Sequence, residues 1–237
     1  MEVREIEGLG PAERAALFER DAGVEGVRED VRGIVDRVRD EGDVAVREFC
    51  REFDGVEVGN LDVTDAVERA HETVDDDLLA AIEEAADNVR EFHERQVPAD
   101  WREDFDGREL GRRFRPLSTV GVYVPGGAAA YPSSALMGIV PATVAGVDHV
   151  VVTTPPADEL NPATLAAIHE AGADAVYSVG GAQAIGAMAY GTETVTAVEK
   201  IVGPGNRWVT AAKAEVRGDA EIDFLAGPSE VLVLADA

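Results

Sequence analysis

Apolar residues in the first half of the chain recur at three- and four-residue intervals, whereas in the second half they come in short β-rich runs broken by glycine and proline. Val27, Val31, Ile34, Val35 and Val38 fall on one helical face, and Gly42 ends that run. Val46, Phe49 and Phe53 carry an apolar stripe on to the turn signal Asp54-Gly55. Pro11 stands where the first residue of an earlier helix belongs, and Thr64 suits the cap of a helix running through Val74. Leu78, Leu79, Ile82, Ala86, Val89 and Phe92 form the longest amphipathic stripe, closed by Pro98. From Arg108 to Val124 the alternation predicts a strand pair, with Gly107 and Gly111 as turn residues.

Beyond that point the rhythm changes. Thr119–Val124, His149–Thr154, Ala175–Val179, Lys200–Val202, Ile222–Leu225 and Val231–Leu234 read as strands. Helices are predicted from Ser133 or Ser134 to near Gly146, from Asn161-Pro162 to Gly172, from Ala182 to Tyr190, and from after Asn206 to about Arg217. Strand, glycine-rich turn and helix in repetition predict a parallel sheet with helices on both faces. No internal repeat or low-complexity stretch interrupts the pattern.

Composition changes this picture in three ways. The chain has 237 residues, 46% hydrophobic but only 5% aromatic, so its core is aliphatic and sufficient for one or two domains. It carries 47 acidic against 21 basic residues, a net charge of −26, and its lysines are Lys200 and Lys213 alone. Such a surface excludes nucleic acid and anionic membranes as partners. It also repels itself, over a Debye length of about 8 Å at physiological salt and about 3 Å at 1 M, which together with the lysine depletion points to a halophilic protein adapted to molar salt. Charged residues number 51 in the first 120 positions and 17 in the remaining 117, which marks a boundary near residue 120. Cys50 is the single cysteine, so an internal disulfide and a cysteine-built zinc site are excluded. No apolar run reaches the ~18 residues of a membrane span, and MEVREIEGLG does not read as a secretory signal, so the expected location is cytoplasmic.

The chemistry is expected at the turns Pro125-Gly126-Gly127, Gly180-Gly181, Gly203-Pro204-Gly205-Asn206 and Gly227-Pro228-Ser229-Glu230. The first three fall at the C-terminal ends of predicted parallel strands, where such sheets bind ligands. Glycine there lets a ligand approach the backbone, and each following helix presents N–H groups and a partial positive charge to a pyrophosphate. An acidic protein can therefore bind a dinucleotide through backbone dipoles. Neither a G-x-G-x-x-G nor a Walker sequence is present, so the residues alone give an α/β protein with a polar crevice.

Particular stretches go further. TVGVYVPGG (119–127), VGGAQAIGAMAYGTETV (179–195), KIVGPGN (200–206) and AGPSEVLVLAD (226–236) together resemble histidinol dehydrogenase, as do FHERQ (92–96) and REDVRGIVDRVRDEGD (28–43). The resemblance is colinear from about residue 25 to the last residue. It implies an oxidoreductase of amino-acid biosynthesis that takes L-histidinol through histidinal to L-histidine, the last step of histidine biosynthesis, using two NAD in turn. Tyr123, Gln183 and Asn206 are similar to family residues that contact the dinucleotide, and Ser229 to one that contacts substrate. Structural roles stay open for each: a tyrosine anchored at a sheet edge, a polar residue capping a helix, an N-cap asparagine and a turn serine.

The family's zinc ligands begin in a Gln-Ala-Glu-His stretch expected shortly beyond residue 237, and its Glu-His proton-handling pair lies further on. No catalytic or metal-ligating residue is therefore assigned here, and zinc is expected only for a full-length form. His71, His93, His149 and His169 lack H-x-x-x-H spacing and read as structural or surface groups. The fold class implied is α/β: a Rossmann-like parallel-sheet domain plus a mostly helical N-terminal portion of a second, incomplete α/β domain. The organisation implied is an arm over 1–22, the first part of the incomplete domain over 23–119, a Rossmann-like NAD-binding domain over 120–230, and a returning strand over 231–237. The apolar ending VLVLADA suggests a fragment holding the front half of the enzyme, inactive alone and homodimeric when full length. Two other readings stand beside this one: a non-catalytic NAD-binding or interaction module, and a different NAD-linked α/β dehydrogenase sharing only the sheet.

If charge repulsion limits stability at low salt, the melting temperature rises between low and molar KCl. A melt that does not move would remove the halophilic reading.

Overall fold

A parallel strand has to be buried on both faces, and the apolar runs of the second half satisfy that requirement. The computed structural model describes residues 8–18, 23–126 and 130–225. Helices α1 (Pro11–Phe18), α2 (Arg28–Glu41), α3 (Asp43–Phe49), α4 (Thr64–Thr73) and α5 (Asp76–Glu94) come first. A hairpin of β1 (Trp101–Phe105) and β2 (Arg108–Arg112) follows. The chain then alternates: β3 (Thr119–Tyr123), α6 (Pro132–Val144), β4 (His149–Thr154), α7 (Pro162–Ala171), β5 (Ala175–Ser178), α8 (Gly181–Tyr190), β6 (Lys200–Val202), α9 (Arg207–Val216) and β7 (Glu221–Ile222).

The five later strands form one sheet in the order β5-β4-β3-β6-β7, with every neighbouring pair parallel. The chain starts in the middle, steps outward to β5, crosses over through α8 and steps outward again on the other side. This is the Rossmann-like order, with its switch point between β3 and β6. Alternation along the strands splits the core in two. Val120, Val122, Val150, Val152 and Val176 face α6 and α7, joined by Val67 and Ala70 of α4 and Ile82 and Ala86 of α5. Tyr123, Val151, Tyr177 and Ile201 face α8 and α9, joined by Val31, Val35 and Val38 of α2 and Val46 and Phe49 of α3.

Polar links help fasten the early helices to the later unit. Asp43, buried in the first turn of α3, accepts from Thr192 Oγ1 at 2.6 Å, Thr194 N at 3.2 Å and Thr194 Oγ1. Burial works against its charge, yet these bonds and Arg47 hold the carboxyl below its ordinary range. The backbone at 61–63 runs antiparallel along the outer edge of β5, with Val63 N bonded to Val176 O and Ser178 N to Leu61 O, both at 2.8 Å. An otherwise open sheet edge is thereby partly covered. Arg32 of α2 reaches Glu215 of α9 at 2.7 Å.

Several local expectations need correction. The strand pair expected over 108–124 is instead β1 with β2, closed by Asp106-Gly107, whose φ values of 53° and 79° suit a two-residue hairpin turn. Gly107 keeps its turn role, but Gly111 lies within β2, where an added Cβ would strike the Trp101 carbonyl at 2.3 Å. All ten residues of β1 and β2 are exposed, so their sequence carries no buried face to read. Thr64 is not the cap of α4. Asp62 Oδ1 accepts from Thr64 N at 2.9 Å, while the Thr64 hydroxyl accepts from Val176 N at 3.0 Å. Nor does Ser133 or Ser134 cap α6, which starts one residue earlier with Pro132 in its first turn. Asn161 and Gly172 bound α7 as expected.

Gly138 of α6 tests the fit between helix and sheet. A Cβ there would sit 2.5 Å from Val122 Cγ1, a branched side chain fixed in the sheet. Gly138→Ala should therefore lower stability by about 1–3 kcal/mol, outweighing the usual helical advantage of alanine of about 1 kcal/mol. Urea denaturation in molar KCl measures the difference; an equal or raised midpoint would show that α6 has room to retreat.

Candidate functional site

The crest of the sheet is formed by the turns that leave β3, β4, β5 and β6. Two of them flank the switch point: the turn that begins with Pro125-Gly126 after β3 and Gly203-Pro204-Gly205-Asn206 after β6. The second turn is held against the first by a contact only glycine permits. Gly203 has φ +113°, and a Cβ there would lie 2.2 Å from the Tyr123 carbonyl oxygen. Gly126 and Gly180 both pack on the Pro155 ring, where added Cβ atoms would approach to 3.0 and 2.8 Å.

Tyr123, the last residue of β3, is 4% exposed. Its hydroxyl accepts a hydrogen bond from Gly181 N at 3.2 Å, so the end of β3 braces the first turn of α8. Burial pushes the phenol up to about 12, which keeps it protonated at any physiological pH. Gln183, on the same turn of α8, is 1% exposed and directs Nε2 to Asp54 Oδ2 at 3.4 Å. Burial pushes the Asp54 carboxyl up to about 6, and burial with Asp54 nearby pushes the Cys50 thiol up to about 12. Tyr123, Gly181, Gln183 and Asp54 thus make one connected group. Asn206 is exposed and caps α9, its Oδ1 accepting from Trp208 N at 2.9 Å and Val209 N at 3.1 Å.

Tyr123 and Gln183 therefore come together, and Asn206 belongs to the turn that packs on the Tyr123 backbone. Ser229 lies outside the described residues. The expectation of unoccupied N–H groups on the crest helices holds less well: Tyr123 engages the start of α8 and Asn206 the start of α9. The start of α6 has no side-chain cap. An apolar groove of about 940 Å³ opens beside the crest, with Val120, Ser133, Met137, Gly203, Pro204 and Phe224 among the residues that line it. It does not include Tyr123, Gln183 or Asn206.

Sequence reasoning missed Lys213 and Asp223. Lys213 is 3% exposed, and its Nζ lies 2.7 Å from Asp223 Oδ1 while also donating to the Gly203 carbonyl. Asp223 Oδ2 in turn accepts from Gly203 N at 2.9 Å. The pair clamps both polar groups of the glycine that meets Tyr123. The available signal was the scarcity of lysine in a chain that keeps one inside an apolar helix. Lys213→Met should cost about 3 kcal/mol in urea melts, because it strands a partly buried carboxylate. Retained stability would mean that Gly203 is held by the Tyr123 packing alone.

The crest geometry can be set beside known proteins. A sequence model of the family described as histidinol dehydrogenase matches residues 18–237. Histidinol dehydrogenase of Haloarcula marismortui is 73% identical over 236 residues, covering 100% of this chain and 56% of that protein. The Bacillus subtilis histidinol dehydrogenase is 48% identical over 241 residues, again covering 100% of this chain and 56% of the relative. A crystal structure of histidinol dehydrogenase from Elizabethkingia anophelis superposes with a TM-score of 0.83 at 34% identity, over 93% of this chain and 52% of that one. This chain spans about half the length of the curated relatives it matches. With a matching family model over nearly all its length, the chain belongs to the histidinol dehydrogenase family.

Proposed function

We propose that this chain supplies the dinucleotide-binding part of an NAD-dependent enzyme that oxidises L-histidinol, by way of histidinal, to L-histidine. The observation that carries the reading is the glycine contact of Gly203 with the Tyr123 backbone at the switch point, which brings two crest turns together where Rossmann-like sheets take dinucleotides. NAD supplies the hydride acceptor when bound. The chain's own residues shape its berth. The start of α6, uncapped by any side chain, suits the pyrophosphate. Tyr123 and Gln183 fix the first turn of α8, and Asn206 holds the start of α9. Ser229 is assigned to substrate. In this reading residues 23–119 begin a second α/β unit and 120–230 form the NAD-binding one, with 1–22 an arm and 231–237 a returning strand.

The zinc implied by the family does not fit the crest described here. Among the described residues, His149 opens β4 and His169 closes α7, both at the far end of the strands, and His93 lines the apolar groove. No step is therefore assigned to a metal at this crest, and the oxidation needs proton-handling groups supplied by further polypeptide. A homodimer, a cytoplasmic location and adaptation to molar salt complete the reading.

Purified residues 1–237 in molar KCl should bind NAD, followed as saturable quenching of Trp208, which directly follows Arg207 at the start of α9, in a Trp101→Phe background. They should form no NADH with L-histidinol. Absence of binding by both fluorescence and calorimetry at millimolar NAD would overturn the crest assignment. NADH formation would overturn the division of labour. Binding without turnover, lost on Gly203→Val, is the expected outcome.

A further inference from the structure

At the end of the sheet opposite the crest, the C-termini of α4 and α7 converge on a set of side chains with no part in the dinucleotide reading. His71 lies in the last turn of α4, and His169 and Glu170 lie in the last turn of α7. His71 Nε2 is 2.5 Å from Glu170 Oε1, and the two imidazole rings stack at a tilt of 47° with centroids 4.5 Å apart. One ligand atom from each of the three residues falls within 4.8 Å of the others. His71 and Glu170 are half-buried and His169 is exposed, so the cluster is held from inside and open from outside.

We infer that His71, His169 and Glu170 form a binding site for a first-row divalent transition metal, with zinc the best-suited ion. Donor chemistry selects the class. Two imidazole nitrogens and one carboxylate are a zinc donor set, whereas magnesium and calcium prefer oxygen alone. Electrostatics favour a cation independently, because two helix C-termini bring their partial negative ends to the same point. Geometry requires only local adjustment. Zinc bonds of about 2.0–2.1 Å place tetrahedral ligands about 3.4 Å apart, and the exposed His169 ring has solvent beside it into which it can turn. The metal displaces the proton shared between His71 Nε2 and Glu170 Oε1, which is released to solvent, and the ligating imidazole is neutral with its N–H on Nδ1. Solvent fills the fourth position. The bound ion fastens α4, which belongs to the N-terminal helices, to α7 of the parallel-sheet unit.

Spacing within one helix is the usual sequence sign of such a site, and here the histidines come from different helices. The competing state holds no ion, with His71 and Glu170 joined only by their hydrogen bond. Calorimetric titration of chelator-treated residues 1–237 with zinc chloride in molar KCl separates the two. One equivalent should bind saturably and raise the melting temperature. His169→Gln should weaken binding at least about tenfold, at or above the loss typical of outer-shell partners. That variant is decisive because it keeps the His71–Glu170 hydrogen bond and removes only an exposed ring. His71→Gln should behave alike, while His149→Gln, at a separate position beside Asp174, should bind as the parent does. No saturable binding, or equal binding by the parent and His169→Gln, would overturn the proposal.

Discussion

The structure depends on keeping β3 dry on both faces. It is the middle strand of a parallel sheet, paired with β4 on one side and β6 on the other, so neither face can be left to water without losing the apolar burial that holds the sheet together. Val122 is fully buried on one side, and Gly121 leaves room for Met188 and Val198 on the other. The crossover helices do not complete the covering by themselves. Val31 and Val38 of α2 finish the core over α8, and Val67 and Ile82 of α4 and α5 finish the core under α6 and α7. The helices that precede the sheet in sequence are thus bound to it by the same requirement that orders the strands.

That requirement explains what was legible in the sequence. Strands β3, β4 and β5 and helices α2, α7, α8 and α9 emerge from apolar period and from Asn161, Gly172 and Gly191, because burial and capping write directly into residue type. The hairpin β1–β2 was misplaced because it buries nothing; its only local signal is Asp106-Gly107. The stripe of α5 was readable as a helix, yet Leu78 and Phe92 at its ends stay exposed, so amphipathicity alone overstated how much of it is covered. At the site, glycine turns were visible but the Lys213–Asp223 clamp and the His71–Glu170 contact were not. Both join different elements, and nothing in linear spacing encodes such a pairing.

Charge is handled differently at the surface and inside. The excess acid is spread over exposed helix faces, where arginines form pairs such as Arg37 with Glu41 and Glu48, each of small net worth. The buried charges are few, and each is fully bonded: Asp43 to Thr192 and Thr194, Lys213 to Asp223 and the Gly203 carbonyl. Among the described residues no buried side-chain nitrogen or oxygen is left without a partner. High salt can therefore screen the exterior without weakening these contacts, because buried pairs are screened much less than exposed ones.

The bonding at the crest also bears on whether a structural role and a binding role exclude one another. Asn206 accepts two backbone N–H groups through Oδ1, which accounts for the carbonyl end of its amide and leaves the exposed Nδ2 end with two donors. A cap and a ligand contact thus use opposite ends of one group. The Tyr123 hydroxyl accepts from Gly181 N and still carries its own proton, held there by a pKa near 12, so it too retains a donor. Gln183 has less to spare: its Nε2 faces Asp54, and its Oε1 lies so close to Gly181 that an added Cβ would stand 2.6 Å away. Its carboxamide is best placed to set the shape of the α8 turn. Of the three residues, Asn206 can meet a ligand at least structural cost, and Gln183 acts on a ligand chiefly through the backbone it fixes.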